Sequence, residues 1–91
     1  MSLNTTADLI RSRLDSLNPV AVHVVDDSAS HAGHAGAMES GGGHFHLTIV
    51  SEAFQGKNPI ARHRMVYAAL ADLMQQRIHA LQIEAMTPDQ F

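Results

Sequence analysis

Seven histidines in 91 residues, with no cysteine, define the chemistry this chain can offer. Imidazole titrates near neutral pH and is the commonest transition-metal ligand among side chains. His31 and His34 stand at H-x-x-H spacing in a stretch of Ala, Gly and Ser, with no apolar neighbours to pack against. They are either solvated loop residues or ligands. His79 opens an alternating segment, Ile78-His79-Ala80-Leu81-Gln82-Ile83-Glu84, in the same parity as Leu81 and Ile83. It is either a buried, hydrogen-bonded histidine at a strand end or a third ligand. The connection that carries His31 and His34 runs for 16 residues, Ser28 to Gly43, and an extended chain covers up to about 3.3 Å per residue, which is enough to reach His79. The other histidines have plainer accounts. His23 sits between valines, His44 and His46 share a polar strand face turned to solvent or a partner, and His63 lies within a basic cluster.

Two or three neutral imidazoles arriving from a loop and a strand make a partial metal site. Imidazole suits Zn, Cu, Ni and Fe. Without thiolates, and with few acids nearby, the set falls short of the four closed ligands of structural zinc. Such a site makes sense if a partner supplies the remaining ligands. Histidine replaces cysteine on one iron of some 2Fe–2S centres, so shared His/Cys ligation is chemically reasonable. A stand-alone histidine metal binder is the other possibility.

A second chemistry lies at Lys57, Arg62, His63 and Arg64, which crowd the start of a helix. The macrodipole is already positive there, so the nearest cations cost about 0.3–1 kcal/mol each. An anionic group would sit well among them. The alternative is cations one turn in that are simply solvated, with His63 a capping or packing residue. Enzymatic patterns are missing: there is no defensible Ser/His/Asp order, no nucleophile elbow and no paired carboxylates in a cleft, so no catalytic activity is expected. Gly33-His34-Ala35-Gly36 has the G-x-x-G form of a nucleic-acid clamp, but it falls between two strands and carries no basic residue.

The elements that must position these residues follow from periodicity. Thr5 or Thr6 caps a first helix with Asp8 in its first turn, an apolar stripe of Ile10, Leu14 and Leu17, and Arg11, Arg13 and Asp15 in water; Asn18-Pro19 ends it. Val20 to Val25 is a β-branched strand, and Phe45, Leu47 and Ile49 alternate with His46 and Thr48 in a second. Asn58 caps and Pro59 opens a helix predicted to run through Gln76, with Val66, Leu70 and Leu73 on its buried face. A third strand begins at Ile78. Thr87-Pro88-Asp89-Gln90 starts a last turn. The order is α-β-β-α-β-(α). A hairpin followed by a strand–helix–strand crossover gives an α+β fold, a mixed three-stranded sheet with both long helices on one face.

Ninety-one residues make one domain, 1–91, with a mobile His/Gly-rich loop over 28–43. Six Lys and Arg against nine Asp and Glu give net −3, which argues against generic nucleic-acid binding. A cysteine-free chain fits a reducing compartment. The start Met1-Ser2-Leu3-Asn4 has no signal-peptide pattern, and no stretch approaches the roughly 20 apolar residues of a membrane span. The expectation is a cytoplasmic protein with no membrane partner.

With these pieces in view, the chain resembles the BolA-like family. The matching residues are Asp26-Asp27-Ser28 followed by His31, then Gly43-His44-Phe45, Ile49-Val50-Ser51, Phe54-x-Gly56, Arg62-His63-Arg64-x-Val66-Tyr67, Ile78-His79-Ala80-Leu81 and Thr87-Pro88. They span nearly all of the chain from Val20 onward, and the first helix matches in pattern only. The resemblance implies a KH-like fold without the nucleic-acid clamp. It implies partnership with a monothiol glutaredoxin in iron–sulfur cluster trafficking or iron regulation, with a bridged 2Fe–2S cluster in which the glutaredoxin cysteine and a glutathione thiol take part. It further implies His79 as the strand ligand and His31 as the loop ligand, His34 competing, and the absence of cysteine marks a histidine-type member. The Arg62-His63-Arg64 cluster would face the partner or its glutathione carboxylates. Some family members are linked to transcription through DNA binding, which is the second expectation.

Overall fold

The computed structural model of the chain describes residues 5–27 and 43–91. Helix α1 (Thr6–Leu14) begins at a reciprocal cap. The Asp8 amide donates to the Thr5 hydroxyl at 3.1 Å, and the Thr5 amide donates to the Asp8 carboxylate at 3.4 Å. Two otherwise orphaned donors are satisfied in this way. Ile10 and Leu14 are fully buried, and Leu17, in the 3₁₀ turn Asp15–Leu17, is half-buried. Asn18 stops the run at φ 49°, a left-handed conformation that asparagine tolerates.

Strands β1 (Ala21–Asp26), β2 (His44–Val50) and β3 (Ala80–Met86) form one sheet in the order β1-β2-β3. β1 and β2 are antiparallel, with Val24 opposite Leu47; β2 and β3 are parallel, with Leu47 opposite Ile83. Side chains alternate across a strand, so this register sorts the faces. Val24, Phe45, Leu47 and Ile49 are buried with Ile10, Leu14, Val66 and Leu70 of the helices, and Leu81, Ile83 and Ala85 pack against the same core. The α+β order, the mixed sheet and the helices on one face are those expected.

Two local expectations fail. Helix α2 (Pro59–Leu70) starts as predicted, with the Ala61 amide donating to Asn58 Oδ1 at 2.8 Å and Pro59 in the first turn. It does not run to Gln76. Ala71 takes φ 51° and ψ −124°, and a short helix α3 (Leu73–Gln76) follows the break. Arg13, expected in water, is the reason. Its Nη1 donates to the Leu70 carbonyl at 3.0 Å and to Asp72 Oδ1 at 2.9 Å. Helix-end carbonyls lack intrahelical partners, and Arg13 supplies one from the first helix. Its hydrogen bond also holds the Asp72 carboxyl below the ordinary carboxylate range. The third strand starts at Ala80 rather than Ile78. Ile78 is buried, and its amide donates to the Leu73 carbonyl at 3.0 Å, so it closes the end of α3.

The chain then makes the single 3₁₀ turn Pro88–Gln90, where Gln90 Oε1 accepts the Thr87 amide at 2.9 Å. Of the predicted loop over 28–43, only Gly43 is among the described residues.

Candidate metal centre at the start of the third strand

Gly43 is where the long connection meets the sheet. Its carbonyl accepts two amides, His79 at 2.7 Å and Ala80 at 3.1 Å. Its φ is +78°, and a Cβ there would lie 2.8 Å from the Arg77 carbonyl oxygen and 3.0 Å from the His79 nitrogen. Only glycine satisfies both the conformation and the close approach. The next residue, His44, starts β2 opposite Ala80. Its half-buried ring lies 5.1 Å, centre to centre, from the ring of His79, with the planes inclined at 37°. At the other end of the connection, the Asp27 amide donates to the His44 carbonyl at 2.7 Å. Both ends of the segment that carries His31 and His34 are therefore fastened within one residue of this histidine pair. Beside the pair is a shallow depression lined by Asp27, His44, Phe45, Ala80 and Gln82.

His79 is exposed, and its imidazole makes no hydrogen bond to any described residue. The buried, hydrogen-bonded strand-end role is thus corrected. His79 precedes the ladder, so the alternation that would turn it inward with Leu81 does not bind it. His31 and His34 lie outside the described residues. Among the described residues no group of three or more His, Asp or Glu side chains is placed to hold a metal. What the frame offers is two neighbouring imidazoles, with Asp27 lining the depression beside them and no thiol in the chain, fewer donors than a closed metal site needs. Alternation along the sequence places His44 only on a polar strand face. Its position next to Gly43 was the available signal, but it becomes informative only once β2 and β3 are paired in parallel.

The basic cluster lies at the other end of β3. Arg62 donates from Nε to the Lys57 carbonyl at 2.9 Å, and from Nη1 to the Ala85 carbonyl at 3.0 Å and to Gln90 Oε1 at 2.8 Å. Its guanidinium also sits 6.0 Å from the centre of the buried Phe54 ring. Arg62 therefore ties α2, β3 and the last turn together. Lys57 and Arg64 are exposed and His63 is half-buried. From Ala85 back to His79, strand backbone at about 3.3 Å per residue covers roughly 20 Å.

A family model described as BolA-like protein matches residues 14–90. The chain belongs to the BolA-like family. Among curated BolA relatives, SufE-like protein 1, chloroplastic/mitochondrial, of Arabidopsis thaliana is 44% identical over 97% of this chain, which spans 25% of that protein. BolA-like protein 1 of Bos taurus is 39% identical over 90% of the chain, which spans 58% of it. The DNA-binding transcriptional regulator BolA of Vibrio cholerae is 40% identical over 92% of the chain and 76% of its own length. Two solved structures superpose closely. BolA1 from Arabidopsis thaliana gives a TM-score of 0.81 at 33% identity, covering 98% of this chain and 99% of that one. The BolA domain of SufE1 from Arabidopsis thaliana gives 0.80 at 42% identity, covering 99% and 100%.

Proposed function

We propose that this BolA-like chain is a non-enzymatic, histidine-type partner of a monothiol glutaredoxin, acting in iron–sulfur cluster assembly, trafficking or iron regulation. It supplies imidazole to a 2Fe–2S cluster that the glutaredoxin cysteine and glutathione otherwise hold. The observation that carries this is His79: an exposed imidazole with no described hydrogen-bond partner, beside both anchors of the segment bearing His31 and His34. A ligand set of imidazole alone suits a centre shared across two proteins. His79 is the firmer ligand, His31 the loop ligand, and His34 its competitor. Lys57, His63 and Arg64 serve partner contact about 20 Å from the cluster rather than its glutathione, and Arg62 holds their helix in place. The cysteine-free composition fits the reducing environment of the cytoplasm. Among the described residues no helix is long and apolar enough to cross a membrane.

Co-expression with a monothiol glutaredoxin, followed by absorption and mass measurement of the purified heterodimer, tests this. The expected result is a complex with visible cluster absorption, lost in His79→Ala and diminished more by His31→Ala than by His34→Ala. A complex whose spectrum is unchanged in His79→Ala defeats the ligand assignment.

The second function supported by an observation is DNA binding, since the Vibrio cholerae relative bears that name. The two separate on salt. Phosphate binding weakens steeply as salt rises, whereas metal coordination by histidine follows proton competition for the ring.

A further inference from the structure

We propose that His44 is a second ligand from the folded frame, forming with His79 a two-imidazole chelate that holds a borderline divalent transition ion before any partner arrives. The inference deepens the preceding one and depends on it for placing a metal at His79. Metal–nitrogen bonds of about 2.0–2.1 Å put each imidazole centre roughly 3.2 Å from the ion, so two such rings at a tetrahedral angle lie about 5 Å apart. The observed centres are 5.1 Å apart, with planes inclined at 37° rather than stacked in parallel. The two side chains are 35 positions apart in the chain, yet each is held by backbone: Gly43, immediately before His44, accepts the amides of His79 and Ala80. That clamp fixes the two backbones before binding, so only side-chain ordering remains to oppose chelation. His44 is half-buried and His79 exposed, so the His79 side of the pair is accessible to ligands from another protein.

The test uses the full chain and Zn²⁺ alone. In the unaltered protein, the ring Cε1–H resonances of His44 and His79 are followed by NMR as Zn²⁺ is added. Both are expected to shift together and saturate at the same equivalent; a shift of His79 with His44 unmoved means ring packing only and overturns the proposal. In a His31→Ala, His34→Ala background, calorimetry is expected to show Zn²⁺ affinity falling about 10²-fold in either His44→Gln or His79→Gln, as a tethered second ligand is lost. His46→Gln, the next outward-facing residue on β2, should leave it unchanged. Affinity within twofold of the parent in a folded His44→Gln variant also overturns the pair. The glutaredoxin complex separates this from the broader function. A clusterless complex alongside coupled His44 and His79 shifts defeats the shared-cluster function and leaves the pair standing. A cluster that His79→Ala removes, with His44 silent to Zn²⁺, does the reverse.

Discussion

A methyl group at residue 43 would meet two backbone atoms of the neighbouring segment at once, 2.8 Å from one and 3.0 Å from the other. Neither atom can rotate away as a side-chain tip would. Gly43→Ala adds this clash to the cost of a positive φ, so the variant should lose about 1–3 kcal/mol of stability, read as a thermal midpoint lower by about 4–8 °C per kcal/mol. The His44–His79 ring contact should weaken with it, visible as loss of the NOE between the rings. An unchanged midpoint would mean that Gly43 does not hold the start of β3. At this scale the sequence was only partly legible. Residue types single out His79, because a histidine beside a strand in a thiol-free chain is an unusual donor, and the structure leaves that residue exposed. Parity misled in both directions. It favoured burial for His79, which lies outside the ladder and is exposed, and it set His44 apart from His79, because the two come together only through the parallel register of β2 and β3.

Among the elements, those whose ends are set by neighbours three residues away were readable, and those set across the core were not. The caps at Thr5, Asn58 and Thr87 each use a partner three positions on, and each forms as expected. The end of α2 gave no local sign. No Gly or Pro lies between Ile60 and Gln76, and the partner that accepts the helix end, Arg13, is 57 residues away in sequence from Leu70. Ala71 consequently holds a backbone conformation suited to glycine. Ala71→Gly should raise stability by about 0.5–1 kcal/mol, the relief of positive φ exceeding the added chain entropy. Urea unfolding with an unchanged slope would record it as a higher midpoint. A lower midpoint would mean that the break is formed differently.

At the scale of the molecule, the histidine pair and the basic helix start mark opposite ends of β3, and the three-stranded sheet between them is rigidly cored. The fold class was legible as a whole because element order and alternation leave few topologies. The separation of the two sites was not, since it depends on which end of the crossover helix meets which end of the strand. Lys57→Glu with Arg64→Glu should weaken glutaredoxin association about tenfold by calorimetry while leaving the fold intact, because both side chains are exposed. Arg62 is excluded from that pair of changes because it braces the last turn. Unaltered affinity would remove the basic cluster from the interface. The spacing of the two ends has a further effect. Mobile ions at physiological strength damp a field over about 8 Å, and the poles stand more than two such lengths apart at roughly 3.3 Å per strand residue. Charge gained or lost where the imidazoles meet is thus almost unfelt at the far pole. On the proposed function, a partner held at the basic end and a cation taken up at the histidine pair would therefore not electrically disturb one another.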